Sequence, residues 1–307
     1  CTVVVYVDDL KISHVDPEVI DEVKAGLVKR YQTLTEKTGP KFDYLGMEMD
    51  YSTPGEVRVT MEESERDAWT PYASEIASKT AVTPAANNLF DTSSGRTLND
   101  EDAELFHSTV AKLLYIAKRA RPDILTVVSL LTTKVQKPKE SDRVKLLRVL
   151  KYLKNSEPGK ALKLRPESLT QVEAFVDASF AVYPDYIGVT GAIIKVGGST
   201  VYCQSSKQKL CAKSSTEAEI IGVADTLGQA LWVRNFLLCQ GLVLGPVLLW
   251  QDNQSAIWMH SEGYKSSKRT RHMNIKYFFV RNRIENREVQ IAYLSTEKMI
   301  ADLFTKA

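Results

Sequence analysis

The chain has 307 residues and is 44% hydrophobic, which is longer than one average domain and apolar enough for sizeable cores, so two domains are expected and a disordered chain is excluded. Lys and Arg number 40 against 38 Asp and Glu, and a net charge of +2 names no partner, so any nucleic-acid surface must come from local clustering. Cys1, Cys203, Cys211 and Cys239 form no CxxC pair and have no His at zinc spacing; they read as reduced thiols of an intracellular protein.

The opening stretch "CTVVVYVDDLKIS" reads as a buried strand from Thr2 to Val7 and a returning strand from about Lys11, with Asp8 and Asp9 at the tip of a tight hairpin. Turn chemistry alone explains an Asp there, so a functional reading depends on the rest of the chain. A Cys inside a strand at position 1 points to a fragment of a longer polypeptide. Asp16 to Arg30 has an early Pro and apolar Val19, Val23 and Leu27 at helical spacing. "FDYLGMEMDYSTPGEVRVTM" reads as two strands joined at Pro54-Gly55, and Thr80 to Thr97 as loop. Asp100 to Leu153 is helical, with a break near Lys137-Pro138. No apolar run reaches membrane-span length, and the amino terminus lacks a signal pattern.

"NSEPG" at Asn155 to Gly159 is the candidate linker, which divides the chain into 1–155 and 156–307. Beyond it come three consecutive strands, a long helix from Ser214 to Gln240 ended by Gly241, a strand "PVLLWQD", two helices, a strand "EVQIAYL" and a final helix through "MIADLF". That order describes a mixed α/β sheet. Trp232, Trp250 and Trp258 lie in apolar stripes and read as core.

Four carboxylates in this second half occupy positions that local structure does not require. Asp177 interrupts a strand after the alternation Val172, Ala174, Val176, and Asp252 ends the fourth strand, although either could be a turn or capping Asp. Glu217 fits a capping box with Ser214, whereas Glu219 has no such task and lies beside the stripe Ile220, Val223, Leu227, Leu231 that faces the sheet. Asp302 sits within a predicted helix, where Asp is a poor former and costly if buried alone. Four converging carboxylates need cations, and hard oxygen ligands suit Mg²⁺, a pair of which about 4 Å apart can activate water and stabilise a leaving phosphodiester oxygen.

The segments "VDASF", "KSSTEAEIIGVADT", "LLWQDNQSAI", "KRTRHMNIKYFFVRNRI" and "STEKMIADLFTKA" resemble, in the same order, the ribonuclease H domain of Ty1/copia-type retrotransposon polyproteins. "YVDDL", "YLGMEM" and "STVAKLLYIAKRARPDI" resemble the carboxyl-terminal part of the same polyprotein's reverse transcriptase. The resemblance implies a ribonuclease H-like mixed five-stranded α/β sheet with helices, preceded by a partial reverse-transcriptase palm and a helical thumb or connection region. It places the metal-binding carboxylates on Asp177, Glu219, Asp252 and Asp302, with two Mg²⁺ ions, Mn²⁺ being the alternative. Asp8 becomes a ligand of the polymerase metals and Asp9 its support. Polymerisation would also need an Asp and fingers upstream of Cys1, so the chain is expected not to polymerise.

The family's loop before the last Asp often carries a His, and "YLSTEKMIAD" has none. The basic cluster Lys265, Lys268, Arg269, Arg271 and His272 reads as a phosphate-contacting segment or a solvated loop, and His272 alternatively as a ligand or a structural hydrogen-bonding group. The expected activity is Mg²⁺-dependent hydrolysis of the RNA strand of RNA/DNA hybrids. Expected partners are the hybrid, the template-primer and the remainder of the polyprotein, with no membrane. The expected location is the cytoplasm, in virus-like particles, with nuclear entry. The rival is a folded, inactive nucleic-acid-binding remnant of a decayed element.

Overall fold

The computed structural model describes residues 1–77, 80–156, 160–262 and 271–306, with the side chains of 262 and 271–275 outside that description. In the second half, period-2 alternation builds β7 (Val172–Ser179), β8 (Val189–Val196) and β9 (Ser199–Lys207) as an antiparallel meander. β10 (Val247–Gln251) then pairs parallel with β7, and β11 (Val289–Tyr293) parallel with β10, giving the order β11-β10-β7-β8-β9. This is the mixed five-stranded sheet that the resemblance implies. One face, Val172, Ala174, Val176, Ala192 and Ile194, is covered by Val223, Leu227 and Ala230 of α6 (Ser215–Cys239) and by Val280 of α8 (Arg271–Glu285).

The other face is covered by the first half. Ile193 and Val189 share a core cluster with Phe106 and Leu113 of α3 (Asp100–Ala117), Leu131 of α4 (Leu125–Thr132) and Leu150 of α5 (Glu140–Asn155). A second sheet is built from β3 (Lys41–Tyr44), β4 (Met47–Asp50), β5 (Val57–Thr60) and β6 (Leu162–Leu164), so residues beyond position 156 complete the sheet of the first half. The buried Arg121 guanidinium also joins elements across position 156. It donates to Glu65 at 2.8 Å, to both oxygens of Asp123 at 3.0 Å and to Ser156 at 3.0 Å, while Lys160 reaches Asp123 at 3.1 Å. Burial alone would raise the Asp123 carboxyl, but Arg121, the Tyr152 hydroxyl and Lys160 outweigh it and hold it at about 2.

Several expectations need correction. "FDYLGMEMD" is two strands, because Leu45 and Gly46 adopt φ of 53° and 72° and make a two-residue hairpin turn ahead of the one near Gly55. Helix α2 (Glu62–Trp69) follows β5 without a side-chain cap to announce it. The helical region breaks at Arg121-Pro122 as well as near Pro138, since Pro122 cannot continue a helix. The first strand, β1 (Thr2–Tyr6), is not buried: Val3 is 44% and Val5 63% exposed, neither it nor its partner β2 (Asp9–Ser13) contains a buried residue, and α1 (Pro17–Tyr31) buries none either. Trp232 and Trp258 are 60% and 59% exposed, so only Trp250 of the three is shielded, stacked on Phe175.

The final helix is two short 3-10 turns, Thr296–Lys298 and Ile300–Phe304. Its last carbonyls are drawn out of a helical ladder: Ser205 donates to the Phe304 carbonyl at 2.7 Å and Ser179 to the Thr305 carbonyl at 3.0 Å. The segment lies so close to the sheet that a Cβ on Gly191 would meet Thr305 Cγ2 at 2.6 Å and the Ala301 carbonyl at 2.8 Å, so glycine is required there.

Candidate metal centre

Parallel pairing matches Leu249 with Ala174 and Trp250 with Phe175. Carried two residues further, the same register sets Asp252, just past the end of β10, beside Asp177 near the end of β7. Glu219 reaches the same point from the first turns of α6, whose start is fixed by Ser214 Oγ accepting from the Glu217 N–H at 3.2 Å. One carboxylate oxygen from each of Asp177, Glu219 and Asp252 lies within 4.8 Å of the others. Asp177 and Glu219 are buried and Asp252 is half-buried.

Each carboxylate has a partner that fixes its orientation. The buried Thr305 hydroxyl donates to Asp177 Oδ2. Glu219 Oε1 accepts from the Ala178 N–H at 3.3 Å, and Oε2 from the Gln251 side-chain amide at 3.1 Å. Asp252 Oδ2 accepts from the Thr296 hydroxyl at 2.8 Å. Asp252 does not cap the following helix, α7 (Gln254–Glu262); Asn253 does, accepting from the Ala256 N–H at 3.0 Å. Its position therefore has no helix-capping explanation.

Burial, together with the negative charges of Asp302 and Asp252 and against the pull of Thr305, raises the Asp177 carboxyl to about 6. Burial and the neighbouring Asp177 push Glu219 up to about 9, against the hydrogen bond from Gln251. Groups held above their ordinary values by each other's charge are stabilised as carboxylates by a cation. An all-oxygen donor set of this size fits a hard divalent ion, so Asp177, Glu219 and Asp252 are the residues that would hold one.

Asp302 stands close enough for its charge to act on Asp177, but it is outside the set of three. Its Oδ2 is held by Lys306 Nζ, and its Oδ1 is buried without a hydrogen-bond partner. Asp8 and Asp9 sit at the exposed tip of the first hairpin, where Asp9 pairs with Tyr6, and among the described residues no metal-sized cluster forms around them. Lys265, Lys268 and Arg269 lie outside the described residues, as do the side chains of Arg271 and His272.

No family model matches the chain. A Ty5-1 transposon protein of Saccharomyces cerevisiae is 31% identical over 236 residues, covering 73% of this chain and 72% of that protein. The chain belongs to the Ty1/copia-type retrotransposon Pol family. The retrovirus-related Pol polyprotein from transposon RE1 of Arabidopsis thaliana is 29% identical over 98% of this chain, which spans only 20% of that polyprotein's length. Among solved structures, LC11-RNase H1 in complex with an RNA/DNA hybrid covers 44% of this chain at 17% identity and a TM-score of 0.33.

In this Ty1/copia-type chain, three site-shaping residues escape sequence reasoning. Thr305 and Lys306 gave no local signal, because their roles arise from the fold-back of the carboxyl-terminal segment onto β8. Gln251 did give one: it is a polar residue at the inward position of the alternation Val247, Leu249, Gln251.

Proposed function

We propose that this chain hydrolyses the RNA strand of RNA/DNA hybrids with a divalent metal ion, Mg²⁺ in the cell, as the ribonuclease H part of a retrotransposon polyprotein. The observation that carries this reading is the convergence of Asp177, Glu219 and Asp252 at the adjoining ends of β7, α6 and β10. The ions, when bound, supply water activation and charge neutralisation at the scissile phosphodiester. The chain's part is to hold them: Asp177 and Asp252 from adjacent strand ends, Glu219 from the helix above, and Asp302 alongside. Thr305 and Thr296 fix the carboxylate planes. Lys306, whose ammonium Asp302 holds above its ordinary value, keeps Asp302 compensated at the rim. Hybrid selectivity would come from 2′-hydroxyls displayed in the shallow minor groove.

On this reading residues 1–155 are the end of a reverse-transcriptase palm with thumb-like helices, and 156–307 the hydrolase domain. Asp8 and Asp9 then serve the polymerase site of the longer polyprotein, as ligand and support. The protein acts inside the cell, with the template-primer and the rest of the polyprotein. The direct test is incubation of a labelled RNA/DNA hybrid with the wild-type chain, with Mg²⁺ or with EDTA, beside single-stranded RNA and duplex DNA. Mg²⁺-dependent cleavage confined to RNA in the hybrid is expected. Absence of cleavage with retained hybrid binding replaces the hydrolase by the inactive binding remnant.

The basic segment is assigned to the hybrid backbone. Substituting Lys268, Arg269 and Arg271 by Ala should weaken hybrid binding and flatten its salt dependence by roughly 2.7 in the log–log slope, since each lost phosphate contact removes about 0.9. Titration of hybrid affinity against NaCl measures it, and an unchanged slope would return the segment to a solvated loop.

A further inference from the structure

Gln251 is fully buried, at a strand position whose inward-facing neighbours are Val247 and Leu249. An amide in such a place is costly unless its hydrogen bonds are made. Here they are made in a specific way. Its carbonyl oxygen accepts from two successive backbone N–H groups, those of Asp252 at 2.8 Å and Asn253 at 3.0 Å. Only the oxygen can take both, so the orientation of the amide follows from its partners, and its nitrogen must point the other way. That nitrogen donates to Glu219 Oε2 at 3.1 Å.

One side chain therefore grips two of the three clustered carboxylate residues, which come from different elements. It holds Asp252 through that residue's own backbone and Glu219 through its carboxylate. With the Ala178 N–H on the other oxygen at 3.3 Å, both Glu219 oxygens accept a hydrogen bond. This arrangement fixes the plane of the carboxylate, while lone pairs remain for a cation.

We propose that Gln251 is a positioning residue that sets the spacing and orientation of the Glu219 carboxylate relative to Asp252 and thereby tunes divalent-metal affinity. The inference rests on the proposed hydrolase reading for its metal, but not for its geometry.

Two variants separate the contributions. Gln251→Leu keeps the volume and removes both the donor and the acceptor. Gln251→Glu keeps the acceptor for the two N–H groups, and so the corner between β10 and α7, but replaces the donor to Glu219 by a repelling charge. Mg²⁺ and Mn²⁺ affinities of the substrate-free protein, by isothermal titration, should fall about 10- to 100-fold in both variants. Hybrid affinity in EDTA should be unchanged, and cleavage should recover part of its rate at raised Mg²⁺. In metal-free protein, hydrogen exchange of the Asp252 and Asn253 amides, whose acceptor is the Gln251 carbonyl oxygen, should speed up in Gln251→Leu and stay near wild type in Gln251→Glu. If the wild type binds no divalent ion but both amides still exchange faster in Gln251→Leu, the hydrolase reading fails and the positioning role stands. If folded Gln251→Glu binds metal within twofold of wild type and Gln251→Leu leaves the exchange of both amides in place, the positioning role is overturned.

Discussion

Asp252→Asn is expected to lower Mg²⁺-dependent cleavage of a labelled RNA/DNA hybrid by two orders of magnitude or more, with hybrid binding and thermal stability near wild type. The substitution is nearly isosteric, and the structure shows what it leaves alone. The start of α7 is capped by Asn253, the Asp252 backbone N–H remains on Gln251, and an Asn carbonyl oxygen can still accept from Thr296. What disappears is one of the three charges that face a common point. Because the Asp252 charge helps raise both Asp177 and Glu219, its removal relaxes the metal-free site and should leave melting temperature equal or slightly higher. A catalytic loss without a stability loss is the signature of a ligand, and a folding residue would show the reverse.

Glu217→Gln, two residues from Glu219, is the matching control. Glu217 Oε2 accepts from the Lys213 N–H at 2.7 Å, a structural bond that a Gln oxygen can replace, so most cleavage should survive. Rates measured side by side decide the matter: Asp252→Asn cleaving as fast as wild type would remove Asp252 from the site.

The order of elements from β7 to β11 and the selection of Asp177, Glu219 and Asp252 were legible because alternation, capping chemistry and the lack of a local role for Glu219 are properties of short windows. Glu217 also has the end-capping task expected, except that its carboxylate reaches Lys213 rather than Ser214. What was not legible depends on long-range packing. "TVVVY" has the composition of a buried strand, but burial requires a covering element from elsewhere in the chain, and Val3, Val4, Val5 and Tyr6 stay exposed. Trp232 and Trp258 fall on apolar stripes by spacing, but their helices turn that edge outward. Asp302 was placed in a helix by its apolar neighbours, whereas the carbonyls that would have extended that helix are taken by Ser179 and Ser205, far away in sequence. The Leu45-Gly46 turn is the exception: its signal is local, but a Leu at positive φ hides it.

In metal-free protein at pH 8, Glu219→Gln is expected to raise the melting temperature by on the order of 5–10 °C, because several kcal/mol of strain reside in one buried carboxyl. The sign follows from its titration. Unfolded, the group ionises near its ordinary value of 4.5; folded, burial and Asp177 delay ionisation to about 9. Stability is fully present below the unfolded value and is lost progressively as pH rises towards about 9, at roughly 1.4 kcal/mol per unit for one proton. Asp177, raised to about 6, adds a loss of the same sign at lower pH. His260 opposes both over part of the range, since burial lowers it to about 4 from 6.5, so its contribution is lost as pH falls from 6.5 to 4. Wild-type protein without metal should therefore gain stability on acidification from pH 9 to 6.5, the part of the range in which, of these three groups, Glu219 alone acts.

In the Gln variant that slope should largely vanish. One bond is sacrificed, because a Gln amide can accept from Gln251 or from the Ala178 N–H but turns its NH₂ towards the other, a cost of about 1 kcal/mol against the several recovered. Added Mg²⁺ should stabilise wild type at pH 8 and leave the variant unmoved, because the carboxylate that would share the ion is gone. Calorimetric melting from pH 6.5 to 9, with EDTA and then with Mg²⁺, measures all three effects. A Glu219→Gln melting temperature below wild type at pH 8, or a pH slope as steep as that of wild type, would show that the buried carboxyl carries no such strain.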